Sequence, residues 1–358
     1  MDGMNGFSTA EYQDGRGGMP GGPVQAGPEE IKEARRHFSR LGGMFILGTI
    51  VIYAVQLIPI TLLQLLKPEW MEDGNFALMV SILPMYLIGM PVLILLVRMI
   101  PRETVERRSI KPGSFVVAVI MCFAIVYISN LAGNLITTLI GALKGGTVQN
   151  QVLNVTQSVS MWTVVLYMVI CAPIMEEFVF RKLIVDRTVR YGQGTAVIMS
   201  GLMFGLFHGN LNQFVYACSL GMFLAFLYVK TGNIKITIAL HMMINFVGGV
   251  VSSGLLRMID LDEYARAMAG GDMVSLMAYA QENLAGIMAY AAFGVFVMAM
   301  MIAGAVLLIV SLVKRKFVLE KGSVAIPRGK RFGTMIWNAG MVLYCVFWIA
   351  MIIIQLFV

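Results

Sequence analysis

The chain has 358 residues, 58% of them hydrophobic and 13% charged, with 27 Lys and Arg against 20 Asp and Glu for a net charge of +7. Soluble domains carry roughly 45–50% apolar and about 25% charged residues, and such an excess would leave large sticky patches on a water-exposed surface. A secreted disulfide scaffold, a disordered regulator and a cytosolic enzyme are thereby excluded, and a multi-pass integral membrane protein remains.

Residues 1–41 are polar, with eight Gly and three Pro in the first thirty. They read as a disordered cytoplasmic tail leading through a short amphipathic helix near 29–40 into the membrane, and they hold no apolar stretch of the kind a cleavable signal peptide needs. His37 reads there as a solvated neighbour of Arg35 and Arg36. Crossing about 30 Å of hydrocarbon takes about 20 apolar residues, and nine candidate spans follow, near 42–66, 76–100, 114–143, 162–181, 194–209, 212–230, 234–256, 284–313 and 334–358. The fifth is short, and the third and eighth are long enough to tilt or project. Barrel-type alternation is absent. The expected fold class is all-α, a polytopic membrane helix bundle of about nine transmembrane helices. It divides into N-terminal helices at 42–143, a core at 160–250, an external loop at 257–283 and C-terminal helices at 284–358.

The basic residues sort by side. The tail, with Arg16, Lys32, Arg35, Arg36 and Arg40, and the connections after spans two, four, six and eight hold 23 of the 27, leaving Lys67, Lys144, Arg257 and Arg266 for the opposite connections. This bias places the N-terminus in the cytoplasm and accounts for the +7 without a nucleic-acid partner. Cys122, Cys171, Cys218 and Cys345 lie in separate apolar spans with no metal-ligand spacing and read as small buried hydrophobes. Asn154 begins a sequon in an external loop.

Ionisable residues inside spans are costly and mark function by default. Span four reads Cys-Ala-Pro-Ile-Met-Glu-Glu-Phe-Val-Phe-Arg over 171–181. Glu177 and Arg181 are four apart on one helical face, with the acid N-terminal. Glu176 points about 100° away and has no base at that spacing, which leaves it free to react, while Pro173 is placed to kink the helix just before the pair. His208 ends span five, and His241 and Asn245 share a face of span seven. Glu176 and His208 could hold and deprotonate a water during attack on a carbonyl, with His241 and Asn245 donating to the oxyanion. Alternatively, Glu176, His208 and His241 could ligate a divalent metal such as zinc with water in the open position. Residue spacing alone leaves both open. The chain has no His-Glu-x-x-His, and its serine-glycine pairs at Ser200 and Ser219 and its Gly-Gly-Asp ending at Asp272 lack the settings of other intramembrane proteases.

At these residues the sequence resembles the CPBP family of intramembrane proteases, which includes CAAX prenyl endopeptidases and bacteriocin-processing enzymes. The family's Glu-Glu-x-x-x-Arg, Phe-x-x-x-His and His-x-x-x-Asn/Asp motifs stand here as Glu176 to Arg181, Phe204 to His208 and His241 to Asn245. The resemblance covers roughly residues 160–250. It implies hydrolysis of peptide bonds in membrane-associated protein or peptide substrates, with Glu176 as general base assisted by His208, His241 and Asn245 stabilising the oxyanion, and Glu177 and Arg181 supporting the site. The family has been described as zinc-dependent and as metal-independent; Asn245 beside His241 favours the metal-independent form. Membrane lipid and a peptide substrate are the implied partners, and a bacterial cytoplasmic membrane the expected location. The rival readings are a non-enzymatic protein of the same fold, such as a bacteriocin-immunity factor or scaffold, and a proton-coupled transporter. One geometric condition attaches: His208 and Glu176 reach one depth only if helix five starts outside the bilayer or helices five and six form a shallow re-entrant pair.

Overall fold

Pro28, with Glu29 and Glu30 in the turn behind it, has the fixed φ and the negative charge that suit a helix start. In the computed structural model, which describes residues 25–357, a helix begins there. α1 runs Pro28–Leu66, and the Glu30 carboxylate accepts the Gly27 N–H at 2.7 Å. The disorder expected over 1–41 therefore does not extend to residues 28–41; the earlier part of the tail lies outside the described residues. Ala34, Phe38, Leu41 and Phe45 repeat every three to four positions and are fully buried, so the first turns of α1 pack on the bundle. His37 is a correction to the sequence reading. It is buried, 2.7 Å from the Arg187 carbonyl and edge-on to Tyr191, because α1 lays it against the far end of the fourth span.

Among the described residues eight helices are long and apolar enough to cross a membrane. Besides α1 they are α2 (Gly74–Arg98), α3 (Pro112–Leu143), α5 (Met161–Tyr191), α7 (Leu211–Thr231), α8 (Ile234–Leu256), α11 (Leu284–Val313) and α12 (Ala339–Phe357). A short α4 (Gln151–Ser158) precedes α5. The fifth candidate span is α6 (Gln193–Phe207), 15 residues long and hence about 22 Å, less than the hydrocarbon thickness. The connection 257–283 is itself helical, with α9 (Leu261–Gly270) and α10 (Met273–Glu282). Asp272, the end of the Gly-Gly-Asp run, caps α10; hydrogen bonds from the Ser275 hydroxyl and amide hold its carboxyl below the usual range.

The connections gather on two faces. On the basic face Glu103 N–H donates to Asp186 O at 2.7 Å, Arg108 N–H to Thr231 O at 2.6 Å, Gln193 N–H to Glu320 O at 3.0 Å and Val324 N–H to Arg190 O at 2.9 Å. Gly232 closes α7 there at φ +55, and a Cβ on it would lie 2.3 Å from Glu106 O, so both conformation and space demand glycine. On the opposite face Ser160 N–H donates to Asn75 Oδ1 at 2.8 Å, and the Arg257 guanidinium donates to the carbonyls of Thr156 and Val159. The sorting of basic residues thus follows the arrangement of the connections.

Two cores flank α5. Phe180, Leu183 and Ile184 join α1, α2, α6 and α12 in one, whereas Val185 joins α3, α7 and α8 in the other. α6 and α7 lie unusually close. A Cβ on Gly201 would meet Met222 N at 2.7 Å and Cys218 O at 2.9 Å, and one on Gly205 the Cys218 backbone at 3.0 Å, the small-residue contact by which helices associate in lipid. Gly201→Val should push the two helices apart and destabilise the protein by about 1–3 kcal/mol, read as a lower thermal midpoint in detergent; an unchanged midpoint would show that the seam is loose.

Candidate active site

The acids of the fourth span sit on a short α-helical piece, Ala172–Glu177, between two π-helical stretches, Val165–Cys171 and Phe178–Val185. Pro173 has no N–H and its ring crowds the preceding turn; the wide turn before it makes that room, as Met85–Gly89 does before Pro91 in α2. A fourth π stretch, Phe246–Val251, follows Asn245. Such stretches recur at functional sites, and here they bracket the residues singled out above.

α5 continues to Tyr191, ten residues beyond the expected end at 181. Glu176 therefore lies 15 residues, about 22 Å, from that end, and His208 lies the same distance along α6 from Gln193. The Ser200 hydroxyl donates to Phe180 O at 2.7 Å, fixing the antiparallel register. That register sets Glu176 level with Phe204 and leaves His208 one turn, about 6 Å, further along. The depth mismatch posed by the sequence shrinks to about one turn because the fourth helix is longer.

Glu177 is fully buried and so is Arg181, with Arg181 Nε 3.0 Å from Glu177 Oε2. The second Glu177 oxygen is 2.9 Å from His241 Nδ1. A carboxylate held ionised by arginine can only accept, so His241 carries a proton on Nδ1 and turns Nε2 to the other acid. Nε2 is 3.6 Å from Glu176 Oε2. The two adjacent acids accordingly have different surroundings: the Glu177 side chain is 0% exposed and bound on both oxygens, while that of Glu176 is 20% exposed and faces the imidazole edge. Sequence spacing paired Glu176 with His208; the ring set against Glu176 is that of His241. His208 Nδ1 donates to Phe204 O at 3.0 Å, which leaves its Nε2 as an acceptor. Asn245 donates from Nδ2 to Met168 O at 2.8 Å, in the π stretch before the acids, and keeps one amide hydrogen for another acceptor.

Phe204 has a role that the spacing did not disclose. The Arg181 guanidinium lies 4.4 Å over its ring, and the ring meets His208 edge-on at 4.8 Å and His241 at 5.8 Å. It is the platform on which three site groups rest. Its place one turn before His208 was the available signal. Ser200, a weighed alternative nucleophile, is fully buried and spent on Phe180 O.

The Rce1-like family of type II CAAX prenyl endopeptidases matches residues 157–247, the stretch that carries every residue of this site. Over residues 157–247 the chain is thus similar to CAAX-type membrane proteases. A Bacillus subtilis (strain 168) protein named "Putative membrane peptidase YdiL" is 29% identical over 161 residues, which are 43% of this chain. The chain spans 64% of the length of that relative. No solved structure matches. Among the described residues no group of three His, Cys, Asp or Glu side chains is arranged to hold a metal ion. His241 commits Nδ1 to Glu177 and His208 commits Nδ1 to a carbonyl of its own helix, which leaves Nε2 of each ring for the site.

Proposed function

We propose that the chain is an intramembrane endopeptidase that hydrolyses peptide bonds of membrane-associated proteins or peptides with a water activated by Glu176. The observation that carries this reading is the contrast between the two acids, one locked between Arg181 and His241 and one left open beside the imidazole. Glu176 takes a proton from water as its oxygen adds to the scissile carbonyl carbon, and returns that proton to the leaving amine nitrogen. His208 Nε2 accepts the water's second hydrogen and orients it. The Glu177 carboxylate orients His241, which stabilises the developing oxyanion together with the free hydrogen of Asn245.

The membrane peptidase name of the Bacillus relative and the Rce1-like match support this class of activity, and the Bacillus source fits a bacterial cytoplasmic membrane, with the basic face towards the cytoplasm. The test is hydrolysis of a membrane-anchored peptide by the reconstituted protein and by Glu176→Gln. Because no step passes through a metal, wild-type turnover should change less than twofold after incubation with EDTA or o-phenanthroline. Loss of activity that zinc restores would replace the glutamate mechanism by a metal one.

A further inference from the structure

One helical turn beyond His241, at Asn245, lies a cavity of about 270 Å³, bounded by α3, α4, α5, α7 and α8. Asn245 and Met168, the pair that joins α8 to α5, stand in its wall. On the other side it is bounded by Asn150 to Thr156 and Ser252 to Leu256, which belong to the face opposite the basic one. Its volume is near the lower end of the roughly 300–1,000 Å³ of ligand pockets.

The lining is uniform in one respect. Five amides, Asn130, Asn150, Asn212, Gln213 and Asn245, supply its polarity together with Tyr, Thr and Ser hydroxyls, and no Asp, Glu, Lys, Arg or His is among the described residues that line it. These amides each use one end within the protein. Asn130 Oδ1 accepts from Asn134, Asn150 Oδ1 accepts the Leu153 N–H, and Asn212 Nδ2 donates to Gln149 O. Asn130 and Asn150 thus retain N–H donors and Asn212 a carbonyl acceptor, the two polarities that a peptide backbone presents. An ionised group entering such a space loses its water and finds no opposite charge, a cost far larger than that of an amide that finds a partner.

We infer that this cavity is the subsite for an uncharged, internal stretch of the substrate chain, one with neither a charged side chain nor a free terminal carboxylate. This rests on the peptidase reading and gives that site its substrate class. A chain terminus bound there would need a cation, and the lining offers none.

The experiment uses the full-length protein in phosphatidylcholine nanodiscs and a short quenched-fluorescence peptide of Ala, Leu, Gln and Ser, blocked at both ends. Companion peptides carry one Lys, one Asp or a free carboxylate at successive positions beside the scissile bond. Each charge should raise KM at least tenfold, and Asn130→Asp, which removes an amide donor and adds a carboxylate, should lower KM for the Lys peptide at least tenfold while raising that for the neutral peptide. Equal KM for neutral and charged peptides would overturn the inference and leave the peptidase reading standing. The same peptides are also bound to Glu176→Gln and followed by anisotropy. Charge-selective binding without any hydrolysis by wild type would sink the peptidase reading and support the cavity; failure of every peptide to bind would overturn the cavity.

Discussion

Glu176→Gln is expected to lower kcat by roughly 10²–10⁴-fold, the usual contribution of a positioned general base, with little change in KM. The substitution keeps the shape of the side chain and removes only its capacity to take a proton. Stability should hardly move, because Glu176 is partly exposed and the imidazole facing it, His241 Nε2, is 3.6 Å away, outside hydrogen-bond distance. A folded, inactive protein is the predicted result, measured as single-turnover cleavage alongside a thermal melt. Full activity in a well-folded Glu176→Gln protein would end the peptidase assignment.

Arg181→Ala should instead act on the fold. Glu177 and Arg181 are both fully buried, and removing one partner of a buried pair strands the other charge at about 3–5 kcal/mol. The platform contact with Phe204 is lost as well. Arg181→Lys is not a rescue, since an ammonium cannot lie flat on the ring while reaching the carboxylate. Replacing both members, as Glu177→Leu with Arg181→Met, should recover most of the stability but not the activity, because His241 then loses the carboxylate that fixes its tautomer. Thermal midpoints of the three variants in one detergent decide the matter. A midpoint for Arg181→Ala within about a degree of wild type would mean that water reaches the pair.

Much of this protein can be read from local spacing. Hydropathy located the spans because each must bury its own length in hydrocarbon, and the four-residue interval from Glu177 to Arg181 defined the ion pair that the fold contains. What spacing cannot convey is a contact between distant elements. Span four seemed to stop at 181 because Lys182, Asp186 and Arg187 interrupt the apolar run. In the fold Lys182 Nζ is 2.7 Å from Asp186 Oδ2, Tyr228 donates to the other oxygen, and Arg187 donates to the Val97 carbonyl at the end of α2. Charge neutralised within the bundle no longer ends a helix. His37 misled for a similar reason, since its surroundings come from residues some 150 positions away. His241 shares a helix face with Asn245, yet its partners are the two acids of α5, which only the packing of α8 on α5 brings within reach.

The π stretches around Glu176 and Glu177 make rotational phase a quantity separate from composition. Each widened turn shifts everything beyond it round the helix axis relative to a uniform α-helix. A helical wheel drawn across Met161–Tyr191 consequently assigns the wrong faces to lipid and to protein after the first widened turn. By the same reasoning, losing a single residue from Val165–Cys171 would swing the acids away from His241 and leave their identity, neighbours and hydropathy untouched. The heading of the site along this span is thus encoded by residue count, and it can be altered by an insertion or deletion as well as by substitution.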